Sequence, residues 1–170
     1  MSQIFQDENH AYQFDFSNAI WATDGLHDIY HKSKLSILSD VDFIVETADS
    51  ILLIEYKNSC IQNAANSEAF NPSGQKYVEK IARKYYGSWI YITALQKSKP
   101  VKYIYILEYP DSDAVTRRKL RNMIMNLLPF QLQTMPDTEI SMEMINSFEV
   151  LSIAEWNSHK MYRAFPVTQI

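Results

Sequence analysis

Asp42, Glu55 and Lys57 are the residues of this chain whose types and spacing point most directly to chemistry. They lie on two arms, Asp40-Val41-Asp42-Phe43-Ile44-Val45-Glu46 and Ile51-Leu52-Leu53-Ile54-Glu55-Tyr56-Lys57, joined by Thr47-Ala48-Asp49-Ser50. The arms are rich in Ile, Val and Leu, as strands are, and the joining residues are turn formers. With Ala48-Asp49 as a two-residue loop, paired positions sum to 97, so Asp42 stands opposite Glu55 and Asp40 opposite Lys57. Side chains alternate faces along a strand, which puts Asp42, Glu55 and Lys57 on one face. Directly opposed residues have Cβ atoms roughly 5 Å apart. Two carboxylates that close repel each other unless a cation or a proton sits between them. The pattern predicts a divalent-metal site with an ammonium beside it, built on rigid backbone.

The competing account is a solvated strand face with ordinary carboxylates, and for Lys57 a salt bridge to Asp40. Both faces of the arms, however, are apolar: Val41, Phe43, Val45, Leu52, Ile54 and Tyr56 on one, Ile44, Ile51 and Leu53 on the other. Such strands are usually covered on both sides, and charge at the end of a covered strand is costly unless paired or metal-bound.

The elements around the hairpin must position these groups. Tyr12, Phe14 and Phe16 alternate, as in a short strand or ordered arm. Ser17 is a candidate N-cap for a helix through Ala19, Ala22, Leu26 and Ile29, and Leu35–Leu38 reads as a strand stub. Residues 58–71 read as a loop. Asn71-Pro72-Ser73-Gly74 opens a helix running from Ser73 to at least Tyr86, with Tyr77, Val78, Ile81, Ala82 and Tyr85 as its apolar stripe. Lys76, Lys80, Arg83 and Lys84 form its basic stripe, a candidate nucleic-acid-binding face. Residues 87–95 fit either helix or strand. A strand at 101–107, a helix at about 113–128, a loop at 129–140 and a strand at 148–154 follow, and the tail after His159 is left unassigned. This order fits an α/β fold, a mixed central β-sheet flanked by helices on both faces, with no break separating two domains.

Asp42, then twelve residues, then Glu55-Tyr56-Lys57 on consecutive strands resembles the PD-(D/E)xK nuclease superfamily, the restriction-endonuclease-like fold. The resemblance spans roughly residues 17–108. It implies a magnesium-dependent phosphodiesterase acting on nucleic acid, DNA before RNA, with Mn²⁺ as an alternative ion. It implies Asp42, Glu55 and Lys57 as catalytic groups, and Asp42, Glu55 and the Tyr56 carbonyl as metal ligands. Val41 stands where the family has proline. No glutamate lies between Glu8 and Glu46, so Asp24 and Asp28 are the nearest substitutes for the carboxylate that many members carry on their first helix. Gln75 resembles a glutamine that some branches place near the phosphate; an ordinary first-turn role fits it equally. A catalytically inactive nuclease-fold module binding nucleic acid or protein is the alternative reading.

Composition bounds these expectations. The chain has 170 residues, enough for one domain with a proper core. No apolar run approaches the roughly 20 residues that span a bilayer, and the first residues lack the pattern of a secretory signal. A single cysteine, Cys60, excludes an internal disulfide and suits a reducing cytoplasm. Net charge is −4, but residues 57–121 hold twelve basic and five acidic side chains, and a phosphate backbone would prefer that segment. The glycines form neither common phosphate-binding loop. His27 and His31 are spaced for zinc on a helix, yet no companion ligand motif accompanies them. Tyr85, Tyr86, Trp89 and Tyr91 could stack bases, although core packing is the more ordinary role. Cutting both strands of a duplex often takes two active sites, so a homodimer is compatible with this reading.

Overall fold

A computed structural model describes residues 3–61 and 70–170. In chain order these form β1 (Ile4–Gln6), β2 (Tyr12–Asp15), β3 (Trp21–Thr23), α1 (Leu26–Lys32), β4 (Phe43–Glu46) and β5 (Ile51–Asn58). They continue with α2 (Gln75–Ala94), β6 (Val101–Glu108), α3 (Ala114–Met125), α4 (Phe130–Thr134), β7 (Ser147–Leu151), α5 (Ile153–Ser158), a 3₁₀ turn (Tyr162–Ala164) and β8 (Val167–Gln169). The fold is mixed α/β with two sheets. Five strands order as β3-β4-β5-β6-β7, and three as β1-β2-β8.

The hairpin forms in the expected register. β4 and β5 pair antiparallel with Phe43 opposite Ile54, Ile44 opposite Leu53, Val45 opposite Leu52 and Glu46 opposite Ile51. Thr47 N–H donates to the Ser50 carbonyl at 2.9 Å, closing the two-residue loop. β5 is the middle strand, and β6 and β7 add to it in parallel. Both faces of β5 are covered by packed residues, Ile51 and Leu53 in one core cluster and Leu52 and Ile54 in the other, which explains its unbroken apolar run.

Three helices cover one face. Ile44, Ile51, Leu53, Tyr103 and Leu107 pack there with Leu26 and Tyr30 of α1, Ile81 and Tyr85 of α2, and Leu120 and Ile124 of α3. The other face differs from the sequence expectation. Instead of further long helices, the small sheet and α5 cover it, with Phe14, Phe16, Trp156, Tyr162 and Val167 against Phe43, Val45, Leu52 and Ile54. Val41 also lies with the helix layer rather than beside Phe43 and Val45, because regular pairing stops at Phe43.

Other expectations are corrected by long-range pairing. The helix expected from Ser17 to Ile29 is two elements. Trp21–Thr23 pairs with the free edge of β4, and the helix begins only at Leu26, after Gly25. The first helix thus falls between β3 and β4, inside the five-stranded sheet's strand order, rather than ahead of that sheet. Leu35–Leu38 is turn, not strand, with Leu38 N–H bonded to the Leu35 carbonyl at 2.9 Å. Residues 87–94 continue α2 as helix. β7 ends at Leu151, because Ser152 and Glu155 form a capping box that starts α5. The tail supplies β8, which pairs with β2. Most of the loop expected at 58–71 lies outside the described residues. Among the described residues no helix is long and apolar enough to cross a membrane.

Candidate active site

The carboxylate pair sits where β4 gives out and β5 runs on. Asp42 precedes the first paired residue of β4, and its Oδ2 accepts a hydrogen bond from the Tyr56 N–H at 2.7 Å. The side chain thereby replaces the ladder partner that β4 no longer offers. N–H and C=O of one strand residue point the same way, so the Tyr56 carbonyl also projects past the end of β4, beside Asp42. Glu55 projects to the helix face and is buried.

Helix α2 crosses above this point, held close by a glycine. A Cβ on Gly87 would meet the Ser39 carbonyl oxygen at 1.8 Å, so only glycine permits the approach. Tyr30 donates its hydroxyl to the Gly87 carbonyl at 2.5 Å, and Ser88 Oγ accepts from the Val41 N–H at 2.9 Å. These contacts fix the segment leading into Asp42 against one turn of α2. The next turn toward the helix start carries Lys84. Its Nζ lies 2.8 Å from both Glu55 carboxylate oxygens and 3.8 Å from Asp42 Oδ1. Asp42 and Glu55 thus converge on one cationic point, as the register predicts, but the ammonium there comes from a helix and not from the strand.

The electrostatics follow from that geometry. Burial pushes the Glu55 carboxyl up to about 8, and the charge of Asp42 adds to the shift, while Lys84 opposes it. Burial likewise raises the Asp42 carboxyl against the pull of Lys84 and of the Tyr56 N–H. Lys84 is raised too: burial pulls it down, but Glu55 and Asp42 together more than offset this. One ammonium thus faces two carboxylates, Glu55 buried and Asp42 half-buried.

A cleft of about 670 Å³ opens over the cluster. It is lined by Asp42, Glu55, Tyr56, Lys57, Lys80 and Lys84, and also by Asp24, His27, Asp40 and the tip of the β1–β2 hairpin. Lys57 therefore shares the cleft, but its ammonium lies 6.0 Å from the centre of the Phe70 ring. The Lys57–Asp40 bridge of the competing account does not form, because Asp40 lies beyond the end of β4 and contacts His27 at 3.3 Å. Among the accessory candidates Asp24 reaches the cleft, whereas Asp28 is exposed on α1 and does not line it. Gln75 turns along its own helix and donates to Glu79 at 2.9 Å. Of the basic stripe, Lys80 lines the cleft and Lys76 is exposed one turn away. Arg83 pairs with Glu79 at 3.2 Å. Lys84 is not a surface contact for nucleic acid, because the carboxylate pair has drawn it in.

Sequence reasoning misses Glu8 and assigns Lys84 to the outer basic stripe instead of to the carboxylate pair. Lys84 carries one signal: it sits three residues after buried Ile81 and four before buried Ser88, at the border of the apolar stripe. Glu8, exposed at the hairpin tip, lines the cleft, and its charge helps to raise the Asp42 carboxyl. Aromatic packing places that tip, with Phe14 4.6 Å from Phe43 and 5.1 Å from Tyr56 between ring centres.

Among the described residues no three His, Cys, Asp or Glu side chains gather closely enough to hold an ion alone. Two carboxylates and a backbone carbonyl are oxygen donors of the kind Mg²⁺ takes, alongside several waters. Compared with protein-family models, curated proteins and solved structures, the chain shows no match.

Proposed function

We propose that this chain is a divalent-metal-dependent nuclease with a restriction-endonuclease-like core, hydrolysing phosphodiester bonds in nucleic acid, DNA before RNA. One observation carries the reading: two carboxylates, one on β5 and one just ahead of β4, converge on a single cationic point. The hairpin, the middle strand carrying Glu55-Tyr56-Lys57 near its end, the following α2 and the parallel β6 accord with the superfamily core.

Asp42, Glu55 and the Tyr56 carbonyl would hold Mg²⁺ or Mn²⁺. Such an ion polarises a phosphate and supplies a water of lowered pKa. Lys57 stands in the cleft where an ammonium can face developing charge on the phosphate. Lys80, with Lys76 one turn beyond, extends positive charge along α2 toward the cleft and would steer the backbone in. A cytoplasmic setting accords with the single cysteine, and a second copy of the chain would supply the second cut of a duplex.

The alternative, a nuclease-fold module that binds nucleic acid or protein without cutting, is favoured by the pairing of Lys84 with both carboxylates. One assay separates the readings: purified protein with Mg²⁺ or Mn²⁺ against duplex DNA, single-stranded DNA and RNA, with an EDTA control and Glu55→Gln. Ion-dependent cleavage lost in Glu55→Gln supports the nuclease. Cleavage unchanged in that variant overturns it.

A further inference from the structure

Lys84 reaches the carboxylate pair from α2 on a flexible four-carbon stem. Its side chain keeps 16% exposure, toward a cleft already lined by Lys57 and Lys80. A divalent ion held by Asp42 and Glu55 needs oxygens at about 2.0–2.1 Å. The point those oxygens share is the one the Lys84 nitrogen now fills, and two cations cannot occupy it together. Lys57 is not in competition for this place, since its ammonium lies against Phe70.

We infer that Lys84 is an exchangeable internal cation: it holds Asp42 and Glu55 together until a divalent ion enters, then yields the pair and turns into the cleft. The inference rests on the divalent-ion reading of Asp42 and Glu55 given above. Three features set this bridge apart from a fixed structural one. Its contacts are unequal, 2.8 Å to Glu55 and 3.8 Å to Asp42. Its single charge faces two carboxylates, so a doubly charged ion with oxygen preference is the better partner. The route for withdrawal is open, because the ammonium lines the cleft instead of being sealed beneath it. Turned outward, Lys84 joins Lys57 and Lys80 on the cleft wall. The site then presents three ammonium groups to a phosphate only when the ion is bound, which couples ion loading to substrate recognition.

Amine-reactive labelling read by mass spectrometry, lysine by lysine, tests this on the wild-type protein with and without Mn²⁺, with calorimetry in parallel to measure Mn²⁺ binding. Lys84 labelling should rise severalfold on Mn²⁺ saturation, while Lys97 and Lys99 remain unchanged. In folded Glu55→Gln it should be high with or without the ion. Mn²⁺ binding with Lys84 labelling unchanged overturns the inference, and so does absence of Mn²⁺ binding. Release of Lys84 with no cleavage of any nucleic acid supports the inference and overturns the nuclease. Glu55-dependent cleavage without release of Lys84 does the reverse.

Discussion

The β4–β5 hairpin carries a charge cluster at each end, and the two are built on opposite ratios. At the loop end one carboxylate, Glu46, meets two ammonium groups: Lys97 bonds to one oxygen and Lys99 stands 3.0 Å from the other. Lys97 also lies 5.0 Å from the centre of the Trp21 ring, and Lys99 donates to the Thr47 carbonyl at 2.6 Å. Hydrogen bonds from both lysines hold the Glu46 carboxyl below its ordinary value. At the open end two carboxylates share one lysine, and both carboxyls are raised. The same two strands thus end in a saturated clamp and in a site short of positive charge. A saturated cluster gains nothing from a further cation, whereas an under-neutralised one invites it. That difference, together with the burial that raises Glu55 and Asp42, separates a structural ion pair from a candidate for chemistry.

Exchanging the carboxylates one end at a time tests this most severely. Metal polarisation is worth several kcal/mol of transition-state stabilisation, and each 1.36 kcal/mol is tenfold in rate. Glu55→Gln should therefore lower ion-dependent cleavage by about 10³-fold. Glu46→Gln should leave cleavage within about twofold and instead lower the unfolding midpoint, since hydrogen bonds to charged groups contribute about 1.5–3 kcal/mol. Cleavage rates and thermal unfolding of the two variants, compared side by side, check both. Equal loss of cleavage in both would dissolve the distinction.

The second effect concerns how the open end is assembled. In Gly87→Ala the new methyl would meet backbone of Ser39, which cannot rotate away, so α2 or the segment before Asp42 must shift. Overpacking of this kind costs about 1–3 kcal/mol. Thermal unfolding should show the loss, and Lys84 labelling should rise without any ion as the bridge loosens. The clamp lies at the far end of the strands and should keep its lysines protected.

These two ends also mark what can be read from the sequence. Alternation with period two and a four-residue turn fix the register of β4 and β5, so the meeting of Asp42 with Glu55 is legible before any coordinates. The Tyr12, Phe14, Phe16 alternation is legible in the same way, and β2 results. What is not legible depends on partners distant in sequence. Lys84 reads as one more surface lysine until Gly87 lets α2 descend onto Ser39. Trp21-Ala22-Thr23 has helical spacing to Leu26, and becomes a strand only because β4 offers it an edge. Glu8 enters the cleft through a hairpin seated by Phe43 and Tyr56. Sequence periodicity records which face of an element is buried, not which element will cover it.

Proton linkage gives a third, smaller contrast, of opposite sign at the two ends. Glu55 has a folded value of about 8 against an ordinary 4.5. Between these limits the folded state binds more protons than the unfolded state, so its contribution to stability falls as pH rises and is fully lost above about 8. Glu46 is shifted down, so its contribution is present above 4.5 and is lost as pH falls through the lowered value. Denaturant unfolding across pH should show the wild-type-minus-Glu55→Gln difference changing between pH 4.5 and 8, and the Glu46→Gln difference changing only in acid.

The smallest effect separates the lysines themselves. Lys99→Met leaves Glu46 with Lys97 and removes one bond to the Thr47 carbonyl. Partly exposed pairs of this type contribute about 0.2–1 kcal/mol, and the carboxylate is not stranded. Lys84→Met strips the open end of its only close ammonium among the described residues, so its damage at neutral pH should be larger, and it should grow as pH rises past about 8 and Glu55 loses its proton. The clamp variant should cost less only in acid, once Glu46 itself is protonated below pH 4.5. Chemical denaturation of both variants at acid, neutral and mildly alkaline pH measures the two costs directly. A Lys84→Met protein no less stable than Lys99→Met at neutral pH would mean that the two ends are neutralised alike, and the contrast on which the site rests would be gone.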